Sequence, residues 1–338
     1  MNVATSRRRP GFTLVELLTA VAIIVLLISV LIPALSAART QAKNAATSGL
    51  LNSIEAGVEM FNGDFKKYPQ SRGINPFEGD DGILLTGAQW LALQLAGADT
   101  RGFVEPSLKN DADGDKRIDT TDWLDWYALD SIDPDRTYTR SGPYADVEGD
   151  SLKSVEQYLI TDTNIHNYPD KMLGNTTEPS GSGGTSPWHN GRLSFFVDSF
   201  NYPVLYYRAN PMVEAPYTTG TPGGSFVVGR YDVSDNAYIT GGDGNDGRYA
   251  VSQESWDLTE SGEQHPLATL GYDADSLEWP EPRTFASFVS DSGVYENTYS
   301  TSGGRVWPMR PDSFLLISAG EDGLYGTGDD VTNFKHGN

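Results

Sequence analysis

The chain has 338 residues, with 24 Lys and Arg against 46 Asp and Glu, which gives a net charge of −22 at pH 7. Such an acidic surface repels nucleic-acid phosphates, so nucleic acid is excluded as a partner, while the length is ample for a hydrophobic core. The sequence contains no cysteine, which excludes disulfides, thiolate nucleophiles and cysteine-based zinc sites.

The first 43 residues differ from the rest of the chain in charge and hydropathy. They hold five basic residues and a single acid, Glu16, so 45 of the 46 acids lie downstream. From Leu17 to Leu35 only Thr19 and Ser29 carry polar side chains, and a helix of that length spans the roughly 30 Å of a bilayer core. The arginines at positions 7–9 predict a cytoplasmic N terminus, with the acidic remainder across the membrane.

Two simpler interpretations of this segment are a secretory signal peptide and a plain membrane anchor. Basic residues, an apolar run and the small residues at 36–38 do occur in the order of a signal peptide, but the run exceeds the about 7–15 residues of such a signal. A carboxylate in hydrocarbon costs about 2.5–3.5 kcal/mol on insertion scales. Glu16, near the start of the span, therefore predicts a partner or a function that neither interpretation supplies.

Residues 11–16, Gly-Phe-Thr-Leu-Val-Glu, resemble the cleavage and methylation motif of type IV pilins and type II secretion pseudopilins. The resemblance implies that a prepilin peptidase cuts between Gly11 and Phe12 and that the new Phe12 amine is methylated. Glu16 then becomes the fifth mature residue, the acidic position of the family, and Pro33 falls where pilins commonly carry a helix-kinking proline. In a filament Glu16 would face the terminal amine of a neighbouring Phe12, pairing two charges that are each costly alone in an apolar medium.

The predicted organisation follows the chain from this motif. Residues 1–11 form a leader, 12–35 a transmembrane helix, 36–62 its amphipathic continuation, and 63–338 a periplasmic or extracellular domain. Leu51, Ile54, Val58 and Phe61 recur at three- and four-residue steps, which predicts one apolar stripe that packs on this domain. Residues 60–69 resemble the end of the long helix of major pseudopilins, where a turn precedes Tyr-Pro.

Residues 111–122 hold the best-spaced acidic constellation in the chain. Carboxylates stand at loop positions 1, 3, 5, 9 and 12, and this EF-hand spacing lets alternate oxygens converge on one hard cation. The loop most resembles dockerin-type loops, with a helix expected from Trp123, although Lys116 replaces the glycine of the sharp turn. We predict calcium binding, against the alternative of a solvated acidic turn. The predicted ligands are Asp111, Asp113, Asp115, the backbone carbonyl of Arg117, Asp119 and Asp122.

Two later segments predict strands of an antiparallel sheet. Residues 198–208 resemble the Asp-Pro-Trp-Gly-Asn-Pro hairpin of major pseudopilins in a diverged form, and the alternating, aromatic-rich residues 204–207 suit a strand. Residues 313–318 predict a buried strand that runs into an acidic loop. Residues 175–187 and 218–225 are rich in Gly, Ser, Thr and Pro and predict loops, as does the acidic turn at 241–247.

The acidic loop at 319–334 resembles the C-terminal calcium loop of major pseudopilins. The aspartates that match the family ligands are Asp322, Asp329 and Asp330. The resemblance implies a structural calcium ion that holds the last loop on the sheet. A glycine-rich acidic tail without metal is the alternative.

Motifs for catalysis are not found in the sequence. The four histidines lie far apart, without the spacing of a zinc site or a triad. Neither a nucleophile elbow nor a phosphate-binding glycine motif occurs. A carboxylate pair for glycoside hydrolysis remains open among the 46 acids, but we predict a structural protein and not an enzyme.

The expected fold is α+β and pilin-like. A long N-terminal helix, membrane-spanning in its first half, packs on an antiparallel β-sheet, with large insertions at about 100–195 and 215–310. The function implied is a structural subunit of a type II secretion pseudopilus or a type IV pilus-like filament. The calcium-like C-terminal loop and the lack of a cysteine pair favour the secretion branch. The chain is much longer than major pseudopilins; the large tip pseudopilin is nearer in length but usually lacks the acid at position 16.

The resemblance also implies partners and a location. The partners would be copies of the chain, other pseudopilins, the prepilin peptidase and an inner-membrane assembly platform for secretion or pili. The chain would cross the inner membrane once. The alternative is a membrane-tethered, calcium-stabilised binding or adhesion protein that uses the pilin export route.

Overall fold

The structure is a computed structural model of the chain. The residues it describes are 14–77, 84–127, 137–147, 151–154, 193–210, 227–228, 231–240, 265–270, 282–294, 296 and 307–335. They divide into two compact units, Met1–Ala45 and Ala46–Asn338. The predicted loops at 175–187, 218–225 and 241–247 lie outside the described residues.

Helix α1 spans Leu14–Phe65 and contains Pro33. Its N-terminal part, within the first unit, exposes every large apolar side chain that it carries between Leu14 and Leu35. The helix is long and apolar enough to cross a membrane. This agrees with a single membrane anchor, as the sequence predicts.

The later part of α1 carries the predicted apolar stripe. Leu51, Ile54, Val58 and Phe61 are each at most 2 % exposed, which confirms the stripe. The helix ends at Phe65, three residues beyond the expected end. The reason is that Lys66, and not Gly63, takes the left-handed conformation, with φ 56°, while its N–H still bonds the carbonyl of Asn62 at 2.9 Å.

A three-stranded antiparallel sheet lies at the centre of the second unit. Strand β10 (Phe314–Ser318) lies between β7 (Leu205–Arg208) and β11 (Val331–Thr332). The register pairs Leu316 with Tyr206 and Ile317 with Thr332. Both segments predicted as strands are confirmed, and all five side chains of β10 are buried.

The side chains of this sheet alternate between two hydrophobic cores. One core joins Tyr206, Phe314 and Leu316 to the apolar stripe of α1. The other joins Tyr207 and Ile317 to the second insertion. The sheet is therefore buried on both faces, as its nearly continuous apolar sequence requires.

The remaining strands form two-stranded antiparallel pairs, so the expected sheet is accompanied by several small ones. The pairs are β1 (Gly73–Ile74) with β2 (Leu84–Leu85), β3 (Phe103–Val104) with β4 (Arg140–Ser141), β5 (Leu152–Ser154) with β6 (Ser194–Phe196), and β8 (Val227–Val228) with β9 (Tyr231–Asp232). Among the described residues, further helices are α2 (Gly87–Ala96), α3 (Thr120–Trp126), α4 (Ala237–Thr240) and α5 (Phe285–Val289). Single 3-10 turns occur at Val233–Asn236 and Pro266–Ala268.

The described parts of both predicted insertions belong to the cores. The first contributes Phe103, Trp123 and Trp126 to the core that contains the α1 stripe. The second contributes, among others, Tyr231 and Phe285 to the opposite core. Fully burying an aromatic side chain of this size stabilises a fold by about 1.5–3 kcal/mol, so the insertions are structural parts of the second unit.

Candidate assembly and calcium sites

The candidate assembly site lies at the start of α1. Glu16 is in the first turn of the helix, where the helix dipole favours a carboxylate. Its side chain is exposed, and its carbonyl accepts a hydrogen bond from Thr19 Oγ1 at 3.0 Å. The predicted processing residues, Gly11 and Phe12, lie outside the described residues.

The helix surface that follows Glu16 is apolar on all sides. Large exposed side chains of this stretch include Leu17, Ile24 and Leu31, each more than half exposed. A helix that is apolar all round requires a nonpolar environment on every side, either lipid or neighbouring helices. The carboxylate of Glu16 therefore lies at the edge of a surface that requires contact with lipid or with neighbouring helices.

The candidate calcium loop at 111–122 brings three of its predicted ligands together. One carboxylate oxygen from each of Asp111, Asp113 and Asp115 lies within 4.8 Å of the other two. Among the described residues this is the one group of three or more acidic or histidine side chains that meets this distance. Oxygens at this separation can share one hard cation.

The same carboxylates also fold the loop. Asp111 accepts from the N–H groups of Gly114 at 2.6 Å and Lys116 at 2.8 Å. Asp113 accepts from Asp115 N–H at 3.0 Å. Lys116, at the turn position where a glycine was expected, adopts φ 68°, so the sharp turn forms at the energetic cost that a side chain has in the left-handed region.

The end of this loop is fixed to the core through α3. Asp119 caps α3, and Asp122 accepts from the N–H groups of Ala112 at 2.5 Å and Asp119 at 2.9 Å. Asp122 is fully buried. The two predicted ligands Asp119 and Asp122 therefore lie outside the group of three, and both act as hydrogen-bond acceptors for the loop backbone.

Two further hydrogen bonds hold the start of this loop and the backbone of Arg117. Trp126 Nε1 donates to the carbonyl of Asn110 at 2.7 Å, which anchors the loop to a buried aromatic cluster. The N–H of Arg117 donates to Asp115 at 2.7 Å. Neither Asn110 nor Trp126 was predicted to contribute, because a backbone carbonyl accepting from an indole leaves no motif in the sequence.

The C-terminal loop uses its aspartates on its own backbone. Asp329 accepts from the N–H groups of Glu321 at 2.8 Å and Asp322 at 3.0 Å. Asp330 accepts from Gly326 N–H at 2.7 Å, and Asp322 accepts from Leu324 N–H at 2.7 Å. The three predicted ligands thus lie in one tight loop. Their carboxylate oxygens do not all lie within 4.8 Å of one another, as those of Asp111, Asp113 and Asp115 do.

Burial and hydrogen bonding move the pKa values of these aspartates in different directions. Burial raises the pKa of Asp330 to about 8 and also raises that of Asp322. Burial acts in the same direction on Asp329, but hydrogen bonds from Thr327 and the loop backbone outweigh it and lower the pKa. Because calcium binds carboxylates in their ionised form, Asp330 would have to lose a proton to become a ligand.

A buried histidine packs against the C-terminal loop and accepts a hydrogen bond from its backbone. His265 Nδ1 accepts from the N–H of Tyr325 at 3.2 Å, and the two rings lie 5.1 Å apart. Tyr325 in turn donates its hydroxyl to the carbonyl of Pro203 at 2.6 Å. His265 belongs to no metal-binding or catalytic pattern in the sequence, and no pattern around it indicates this structural contact.

Comparison with known proteins bears on the N-terminal region. The family described as the prokaryotic N-terminal methylation motif matches residues 6–32, a range that includes Gly11, Phe12 and Glu16. The type IV wide pilus major component PilA4 of Thermus thermophilus is 41 % identical over 66 residues, which cover 20 % of this chain. The motif and this relative support a type IV pilin-like family for the chain.

The matched region is limited in both proteins. The chain spans half the length of the pilin relative, and the family match ends before the second structural unit. No solved structure matches the chain. The α+β arrangement, with a long apolar helix followed by small antiparallel sheets, agrees with the pilin-like fold that the sequence predicts.

Proposed function

We propose that the chain is a structural subunit of a pilus-like filament and, within that class, a pseudopilin of a type II secretion pseudopilus. The observation that supports the class is a methylation motif directly followed by a helix with an exposed apolar surface. The acidic C-terminal loop and the absence of cysteine favour the secretion branch. The chain acts as a building block, with one pass through the inner membrane and the second unit on the periplasmic or extracellular side.

Assembly follows from the chemistry of the first residues. A prepilin peptidase removes residues 1–11 and leaves the methylated amine of Phe12. Within the filament this amine pairs with Glu16 of a neighbouring copy, because both charges lose their hydration there and each is costly alone. The pairing fixes the axial step between subunits, and the apolar surface of α1 packs against the same surface of its neighbours.

The first test is mass spectrometry of the N terminus. The mature chain should begin with N-methyl-Phe12. A terminus near Ala37 or Ala38 would mean an ordinary secreted protein and would reject the proposal.

The second test is the substitution Glu16→Ala, with Glu16→Asp as the matched variant that keeps the charge. We expect normal cleavage of both, a loss of at least tenfold in filament incorporation for Glu16→Ala, and partial recovery for Glu16→Asp. Because the chain has no native cysteine, a single Ala38→Cys substitution should give disulfide-linked dimers through α1. Normal assembly of Glu16→Ala contradicts the pairing, and an absence of self-crosslinking favours a tethered binding protein.

We further propose that the loop at 111–122 binds a structural calcium ion, with Asp111, Asp113 and Asp115 as its carboxylate ligands. Support comes from the distances among these carboxylates. Two unit charges about 5 Å apart repel by about 1 kcal/mol even in bulk water, and a divalent cation would convert this repulsion into attraction. The C-terminal loop, with Asp322, Asp329 and Asp330, is proposed as the second site, because its family resemblance implies one.

Calcium removal tests both sites. A chelator should lower the melting temperature of the wild-type chain, and Asp113→Asn should remove part of that shift. The control is Glu105→Gln, which makes the same charge change at an exposed position outside the loop and should keep the full shift. A melting temperature that does not respond to chelator would reject both sites.

A further inference from the structure

We propose that Lys153 and Asn201 join in an intramolecular isopeptide bond. Lys153 Nζ donates a hydrogen bond to Asn201 Oδ1, so the amine lies against the amide whose carbon it would attack. The two residues are 48 positions apart in the chain, and both are half-buried. The bond would be a covalent modification of the second unit, independent of its role in a filament.

The lysine is held in place by strand pairing. Lys153 is the middle residue of β5 and pairs directly with Phe195 of β6. The N–H of Val197 adds a bond to the carbonyl of Ser151 at 2.7 Å. Because directly paired residues project from the same face of an antiparallel sheet, the aliphatic stem of Lys153 starts beside the buried Phe195 ring and its amine extends toward the turn after β6.

The asparagine is fixed by a separate set of contacts. Asn201 adopts φ 74° in the turn between β6 and β7, and its N–H bonds the carbonyl of Asp198 at 3.0 Å. Asp198 closes the turn by accepting from Phe200 and Tyr202 N–H, each at 2.8 Å. The other oxygen of Asp198 accepts from Ser318 Oγ of β10 at 2.5 Å. The amide is therefore presented to Lys153 by a turn attached to the central sheet.

The reaction exchanges one C–N bond for another, so it needs no oxidant, reductant or second substrate. The Nζ–Cγ bond forms, the Cγ–Nδ2 bond breaks, and Nδ2 leaves as ammonia. Lys153 Nζ first gives one proton to solvent, because an ammonium nitrogen has no lone pair, and the free amine then attacks Cγ. The second Nζ proton passes to Nδ2 as the Cγ–Nδ2 bond breaks, and the ammonia that leaves takes up a proton from solvent as an ammonium ion. Holding the amine and the amide in contact removes the entropic cost of bringing two separate reactants together. Positioning alone can lower this part of the activation barrier.

The position of the bond gives it a structural consequence. Strands β5 and β6 are three residues long, and a two-stranded pair of that length is weak without further support. The chain has no cysteine, so a disulfide cannot close this pair. An isopeptide bond would close the 48-residue loop and restrict the unfolded chain as a disulfide does.

Peptide mapping of the full chain, purified in detergent and digested with trypsin after denaturation, tests the proposal. The bond predicts one branched species in which residues 141–171, uncleaved after Lys153, are joined to residues 193–208 and are lighter by one ammonia. Lys153→Arg, which keeps a donor but cannot form the bond, should give peptide 193–208 at its sequence mass. The proposal is overturned if the wild-type chain gives cleavage after Lys153 with an unmodified 193–208 peptide, or if Lys153→Arg retains the mass loss.

Discussion

His265 should make the free energy of unfolding depend on pH. Its side chain is 3 % exposed, and burial lowers its pKa to about 4. In the part of the chain that the structure describes, Nε2 has no hydrogen-bond partner, so a proton there would be buried without compensation. The unfolded chain has the ordinary histidine pKa of about 6.5.

The direction and size of the effect follow from this difference. Between pH 6.5 and 4 the unfolded state binds the proton and the folded state does not, so acid favours unfolding. Linkage gives a loss of about 2 kcal/mol at pH 5 and about 3 kcal/mol at pH 4, relative to pH 8. The stabilising contribution is thus complete above the unfolded pKa and disappears as the pH falls.

The assay is urea unfolding of the full chain in detergent, followed by tryptophan fluorescence from pH 8 to pH 5. The reference is His265→Asn, whose side-chain oxygen can still accept from Tyr325 N–H but does not titrate. Buried carboxyls such as Asp198, whose pKa burial raises, act in the opposite direction in both proteins and cancel in the comparison. A difference between wild type and variant that stays constant from pH 8 to pH 5 would refute the argument.

Two further predictions concern packing, each with a matched control. Phe61→Ala removes a fully buried ring from the α1 stripe and should lower the free energy of unfolding by about 3–5 kcal/mol. The control is Met60→Ala on the same helix, where the native side chain is 53 % exposed. It should change the free energy of unfolding by less than about 0.5 kcal/mol. Gly323→Ala should destabilise by about 1–3 kcal/mol, because φ is 73° and a Cβ would lie 2.5 Å from the Tyr202 ring. Gly328→Ala, in the same loop with no atom within 4 Å of the added carbon, should be neutral within about 0.5 kcal/mol. Urea titration measures both pairs, and equal effects within a pair would contradict the packing described.

The sequence predicted the elements whose signal is local. The stripe from Leu51 to Phe61 repeats with the helical period, and Phe314–Ser318 is a continuous apolar run, so both could be identified without knowing their neighbours. The two-stranded pairs could not be predicted in this way. Strand β3 meets β4 more than thirty residues later, and strands of two residues carry no periodicity of their own.

In the candidate sites too, some features follow from a local sequence pattern and others depend on tertiary packing. The spacing of Asp111, Asp113 and Asp115 is a local pattern, and the structure brings these three carboxylates together. The buried position of Asp122 beneath the loop depends on the packing of α3, which the loop sequence does not specify. In the C-terminal loop the resemblance indicated metal ligands, whereas the hydrogen bonds of Asp329 and Asp330 to the loop backbone required the structure.

The sheet that is buried on both faces constrains how this chain could be shortened in evolution. Deleting the second insertion would expose Leu205, Tyr207, Leu315 and Ile317 to water at the same time, creating an apolar patch that promotes aggregation. A homologue without that insertion should therefore carry polar residues at the equivalents of these four positions. The second insertion and this face of the sheet therefore depend on each other for burial.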